Sequence, residues 1–216
     1  MMETRPTRKL WRINQSDELI ICVSTSKIID TGEYKKMATG LGQLRALPLV
    51  TDSLNNAYNN MKIKNILFSE ETLKDDIKKD IILLGGPKTN SYTKKFLDEI
   101  KELSIVEQEE STIYWKVEGE EEKFEPIEVG DKVEKDYGLI IRMPNHFSSK
   151  TSDNIFCILS GGHTYGTIAA AEYFTQNIYE EIKIKENIGG KFIGVVSCKV
   201  IDESPCRLRL EKQWSN

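Results

Sequence analysis

His163 stands within Ser160-Gly161-Gly162-His163-Thr164-Tyr165-Gly166-Thr167, a turn of small and hydroxyl-bearing residues between the apolar run Ile155–Leu159 and the small-residue stretch Ala169, Ala170 and Ala171. Glycines allow a sharp turn and a close backbone approach, and a threonine can cap the helix that follows. The first N–H groups of that helix then face solvent or an anion. A second turn of this kind follows Ile81–Leu84, as Gly85-Gly86-Pro87-Lys88-Thr89-Asn90, with Asn90 placed to cap a helix and Lys88 to supply a counter-charge. Ser24-Thr25-Ser26, after the apolar run that ends at Ser24, is a weaker third. In a parallel α/β sheet the carboxyl ends of the strands share one edge, so three such turns would meet at one crevice. The ligand-contacting set expected on this basis is Ser24, Thr25, Ser26, Gly85, Gly86, Asn90, Gly161, Gly162, His163, Thr164, Gly166 and Thr167. Its chemistry suits a phosphate or a carboxylate.

No reaction follows from these residues. Ser160 is not in a Gly-x-Ser-x-Gly elbow, and His163 is too close in sequence to serve it without special geometry. Neither Gly-x-x-x-x-Gly-Lys-[Ser/Thr] nor Gly-x-Gly-x-x-Gly is present. Glu134, Asp136 and Glu172 are carboxylates that could act as a base or hold a ribose hydroxyl, although a solvated or ion-paired role is the default for each. Arg45 would lie in the first turn of a helix, where it opposes the helix dipole unless an acid or a bound anion offsets it. No metal site is expected, because His146 and His163 are the only histidines and Cys22, Cys157, Cys198 and Cys206 form no Cys-x-x-Cys pair. The cysteines read as buried free thiols.

The elements that would position these turns follow from hydrophobic patterning. Short continuous apolar runs at Glu18–Ser24, Lys64–Phe68, Asp80–Leu84, Ile155–Leu159 and Lys191–Val200 read as strands buried on both faces, and Leu139–Met143 is a further apolar segment. Helices are expected from about Gly42 to Asn59, with Pro48 in the first turn, from Ser91 through Leu103, and from Thr164 to Asn177. Glu70–Lys79 reads as a charged helix or turn, Ile28–Thr39 as a loop, and the end of the chain as a polar tail. Period-two alternation at Thr112–Val117 and Lys123–Val129, around the acidic turn Glu118–Glu122, marks a small β-rich insert spanning about residues 108–131. The expected fold is one α/β domain over residues 1–216, a Rossmann-like sandwich with a largely parallel sheet.

Composition narrows the partners. With 39% hydrophobic and 30% charged residues the chain is ordinary for a globular domain, and a net charge of −4 provides no basic field for nucleic acid. No apolar run approaches the roughly 18 residues of a membrane span. The basic start, Met1–Arg12, lacks the apolar core of a signal peptide, so a cytoplasmic protein is expected. A homo-oligomer is compatible with the sequence.

The ordered set Gly85-Gly86-Pro87-Lys88-Thr89-Asn90, Asp136-Tyr137-Gly138-Leu139-Ile140 and Gly161-Gly162-His163-Thr164-Tyr165-Gly166-Thr167-Ile168-Ala169-Ala170 resembles an uncharacterised family of Rossmann-like α/β domains. The resemblance runs from Leu19 to Val200 and implies a fold but no activity, cofactor or catalytic residue. The function expected from the turns is binding of a nucleotide or nucleotide-derived ligand, as a sensor would bind it. The alternatives are a hydrolase or transferase acting on an N-glycosidic or phosphoester bond of such a ligand, and an assembly module whose turns are purely structural.

Overall fold

The computed structural model describes residues 8, 10–13, 18–24, 28–30, 35–37, 39–58, 61–67, 76–100, 105–117, 119–149, 153–178 and 191–215. Within them the strands are β1 (Leu19–Ser24), β2 (Ile28–Asp30), β3 (Lys35–Met37), β4 (Ile63–Leu67), β5 (Ile81–Leu84), β6 (Val106–Glu109) and β7 (Thr112–Val117). They continue as β8 (Glu120–Phe124), β9 (Ile127–Val129), β10 (Lys132–Pro144), β11 (Ile155–Gly161), β12 (Phe192–Ile201) and β13 (Ser204–Ser215). Against these stand helices α1 (Leu41–Ala57), α2 (Ser91–Ile100) and α3 (Thr164–Glu172), the last extended by a π-helical turn over Tyr173–Asn177.

The protein is therefore mostly β, and the expected Rossmann-like parallel sandwich is wrong. The main sheet runs β13-β12-β10-β11-β5-β1-β4, with β9 beside β10. Only β4, β1, β5 and β11 pair in parallel. The pairings of β10 with β11, β12 and β9, and of β12 with β13, are antiparallel. Two smaller antiparallel sheets, β2-β3 and β6-β7-β8, accompany it. The cause is β10, 13 residues long, which enters beside β11 in the opposite direction and starts an antiparallel half.

The parallel half behaves as its sequence implies. Along β1, Leu19, Ile21 and Val23 join one core while Ile20 and Cys22 join the other, and β5 and β11 alternate likewise. One core lies under α1 and α3, with Val50, Leu54, Ala170 and Phe174; the other lies under α2 and the β6-β7-β8 sheet, with Phe96, Ile113 and Trp115. A strand covered on both faces must be apolar at every position, hence the unbroken runs.

Several other expectations change. The segment expected as a loop at Ile28–Thr39 contains the β2-β3 pair, and the polar tail is the edge strand β13. Pro48 lies inside α1 rather than in its first turn, because the helix already begins at Leu41. Glu70–Lys79 and the end of the helix expected through Leu103 fall largely outside the described residues. In the region of the insert β6, β7 and β8 form a three-stranded sheet, and β9, which follows them, pairs instead with β10 of the main sheet. No helix of the described residues is long and apolar enough to cross a membrane.

Candidate functional site

Two of the three turns meet. Gly86, Lys88 and Thr89 from the β5-to-α2 turn face Gly161, Gly162, His163, Thr164 and Thr167 from the β11-to-α3 turn across a crevice of about 240 Å3. Gly40 and Gln43, from the start of α1, form a third wall, and Glu110 and Ser111 from the β6–β7 turn form a fourth. Ser24 ends β1, and Thr25 and Ser26 lie outside the described residues.

Three of the expected contacts are used inside the protein. Asn90 is fully buried. Its Oδ1 accepts from the backbone N–H groups of Tyr92 and Thr93 at 3.1 and 3.3 Å, and its Nδ2 donates to the carbonyls of Leu84 at 3.0 Å and Cys22 at 3.3 Å. It is thus the cap of α2 and a tie to β1 and β5, with nothing left for a ligand. Gly85 is buried with φ 90°, a left-handed position that glycine adopts without cost, and its carbonyl accepts from Thr93 Oγ1 at 2.9 Å. Gly166 is buried in the first turn of α3, its N–H held by a carboxylate.

That carboxylate is Asp136 of β10, fully buried under the start of α3. Its Oδ2 accepts from the N–H of Gly166 at 2.5 Å and of His163 at 3.2 Å, and its Oδ1 accepts from Tyr137 N–H at 2.8 Å. The positive end of α3 is therefore satisfied by a side chain of the protein itself. Burial raises the Asp136 pKa above the ordinary carboxylate value, opposed by these N–H donors and by the neighbouring His163. With both oxygens engaged and no exposure, Asp136 is a structural clamp rather than a base reaching a substrate.

The other polar residues of the turn divide in the same way. Ser160 Oγ donates to Gln108 Oε1 at 2.7 Å and Gln108 Nε2 donates to the carbonyl of Gly161 at 3.0 Å, so this pair joins the insert to the end of β11. Ser160 is spent in the core. Thr167 Oγ1 approaches the His163 carbonyl at 3.4 Å. His163 is only partly buried, and its Nε2 meets Glu128 Oε1 of β9 at 2.8 Å. A carboxylate oriented on the imidazole is thus supplied by the insert, from a residue more than thirty positions earlier that no local spacing could reveal. Glu172 sits on α3, where partial burial raises its pKa and Arg45 lowers it. Arg45 itself is half-buried and donates to the Glu203 carbonyl at 3.0 Å.

The residues missed by sequence reasoning are the more informative part of the site. Helix α1 starts at the crevice with Gly40 as its N-cap, and among the described residues no side chain is bonded to its first N–H groups. Gln43, buried behind them, donates from Nε2 to Thr89 Oγ1 at 2.8 Å and so ties α1 to the Gly86–Thr89 turn. Gly42 packs against α3 so closely that a Cβ there would sit 2.8 Å from the Thr164 carbonyl. Lys88, which the sequence did single out as a counter-charge, is exposed at the lip. Gly40 immediately ahead of an apolar helical pattern was the available signal, since a glycine cap leaves the helix end bare.

No family model, curated protein or solved structure matches the chain. The function must accordingly be argued from the crevice. No cysteine is among its described lining residues, and burial pushes Cys22, Cys157 and Cys198 each up to about 12.

Proposed function

We propose that the crevice binds the phosphate-bearing end of a nucleotide or nucleotide-derived small molecule, and that the protein acts by binding it, as a sensor does. The observation that carries this reading is the unequal treatment of three helix starts. Asn90 fills that of α2, Asp136 fills that of α3, and α1 opens at the crevice behind Gly40 with no side-chain cap. Unpaired N–H groups at a helix start carry partial positive charge and attract anions. Lys88, on the same crevice, adds a full charge.

A ligand that binds only the native state at about a hundredfold excess over Kd raises unfolding free energy by about 2.7 kcal/mol. For a chain of this size that is a rise of roughly 5–10 °C in Tm. A thermal-shift panel of mono-, di- and cyclic nucleotides is expected to contain such a stabiliser. Because Lys88 is exposed, Lys88→Ala should leave the unliganded midpoint in place while removing most of the shift. A panel in which nothing moves the midpoint would favour the assembly-module alternative instead.

One observation supports a second reading, a hydrolase or transferase at an N-glycosidic or phosphoester bond of the same ligand: the 2.8 Å contact of His163 with Glu128. A carboxylate on one ring nitrogen orients an imidazole for proton transfer at the other. His163→Gln separates the readings. A contact residue would lose about 1–2 kcal/mol of affinity, whereas an acid or base would lose about 10²-fold or more in rate at nearly unchanged affinity. Assays of ligand affinity and of turnover by parent and variant decide; we expect the affinity loss and no turnover by the parent.

A further inference from the structure

A second hollow, a groove of about 380 Å3, adjoins the crevice. Among the described residues, Lys88 and Glu110 alone line both. The two hollows differ in character. The crevice holds Lys88, His163 and the uncapped start of α1. The groove holds Leu97 and Val106, with Asp98, Glu109 and the cation Lys94 on its walls, and its Glu107 is paired with Lys116 at 2.8 Å. With Lys88 and Glu110 common to both, the crevice suits an anion through the start of α1, whereas in the groove the carboxylates of Asp98 and Glu109 outnumber Lys94 and suit groups that donate hydrogen bonds. Size points the same way. The crevice alone falls below the roughly 300–1,000 Å3 of sites that enclose a small molecule, and the groove brings the joint space within that range.

Glu110 marks the passage between them. It stands in the two-residue turn between β6 and β7 with φ 48°, a left-handed conformation for which glycine or asparagine is the usual choice. A glutamate there is held against its backbone preference, with its residue facing both hollows.

We propose that one ligand occupies both hollows, passing between Lys88 and Glu110, and that it is a ribonucleoside 5′-phosphate or a molecule containing one. The phosphate lies in the crevice beside Lys88 and the start of α1. The ribose hydroxyls donate to the Glu110 carboxylate, and the base lies in the groove over Leu97 and Val106, its amino edge toward Asp98 and Glu109. This rests on the reading of the crevice as a phosphate site, but it adds a second chamber and a sugar contact that can fail separately.

The test is calorimetric titration of the full chain with inorganic pyrophosphate, with the four common ribonucleoside 5′-diphosphates and with their 2′-deoxy counterparts. At least one ribonucleotide is expected to bind about tenfold or more tighter than pyrophosphate, and its 2′-deoxy form to lose about tenfold, the equivalent of one well-made hydrogen bond to a charged group. Glu110→Gly, which suits the turn and removes a carboxylate from the lip of the crevice, should abolish the ribo-to-deoxy preference while pyrophosphate binds at least as tightly as to the parent. Asp98→Trp, on an exposed position of the groove wall, should bring the nucleotides down to the affinity of pyrophosphate. Pyrophosphate bound as tightly as every nucleotide, or a ribo-to-deoxy preference that survives Glu110→Gly, would overturn the two-chamber proposal alone. Failure of both pyrophosphate and nucleotides to bind would overturn the phosphate site and this proposal together.

Discussion

Asp136→Ala is expected to lower stability by roughly 3 kcal/mol or more, because it leaves the N–H groups of Tyr137, His163 and Gly166 without their acceptor in a site closed to water. At the scale of this chain that is a fall of about 6–12 °C in Tm. Asp136→Asn keeps one acceptor oxygen and turns an amide N–H₂ toward a backbone donor, so an intermediate loss is expected. The pH dependence supplies a second readout. The folded-state pKa of Asp136 is raised by burial, so between the unfolded value of about 3.9 and the raised value the native state binds more protons than the unfolded chain. Its contribution to stability is therefore fully present below the unfolded pKa and is lost as pH rises through the folded one. Half-buried Glu172 is shifted in the same direction and leaves a slope of the same sign. Thermal melts across the weakly acidic range should show the parent losing stability relative to Asp136→Asn as pH rises. A difference between the two that is flat in pH, or that grows with the opposite sign, would show that burial does not dominate this carboxylate.

The role of Asp136 also explains why the site was only half legible in the sequence. The turn after β11 carries the small residues that an anion site would need, and the structure uses them for packing. Ala170 lies against Gly138 of β10, where a Cβ would stand 2.9 Å from the alanine methyl, and the helix start is closed by a carboxylate 27 positions before His163. A helix terminus filled by a distant side chain and one left open to a ligand have the same local sequence. What local spacing does reveal is the meeting of the Gly86–Thr89 and Gly161–Thr167 turns, since both follow adjacent parallel strands, β5 and β11, and leave the sheet at one edge.

The antiparallel half of the sheet escaped for a different reason. The β12–β13 hairpin turns on Asp202-Glu203, both residues at positive φ, where Asn-Gly would have announced the connection. Beyond it, Leu208 and Leu210 alternate with exposed Arg207 and Arg209, a half-buried edge-strand pattern that resembles a polar tail when its turn goes unrecognised. Likewise β10 becomes mainly apolar only from Leu139 onward, because its first four residues, Lys132–Lys135, are exposed or half-buried, where charge is tolerated. The strands buried on both faces were readable from their composition, whereas strand direction was set by partners that no local pattern specifies.

Gly166→Ala reverses an ordinary rule and so tests the packing of α3 directly. Alanine within a helix is normally about 1 kcal/mol better than glycine. At Gly166, however, a Cβ would fall onto the Tyr137 carbonyl of β10 and lie 3.0 Å from the Cα of Gly161. Both obstacles are backbone, so neither can rotate aside. The expected result is destabilisation by about 3 kcal/mol, at the upper end of overpacking costs, measured by denaturant unfolding. Gly162→Val, by contrast, would be expected to spare the fold and damage binding if the turn were open to a ligand on that side. A Cβ at Gly162 instead meets the Ser111 carbonyl at 2.5 Å, Pro126 Cγ at 2.6 Å and Asp136 Oδ1 at 2.9 Å. Stability should then fall first here as well, with the insert pushed away from β11. The two glycines fail by different routes: Gly166→Ala separates α3 from β10, while Gly162→Val separates the insert from the turn. A Gly166→Ala protein at least as stable as the parent would mean that α3 does not sit this close to β10. The crevice wall formed by His163 and Thr164 would then have to be placed anew.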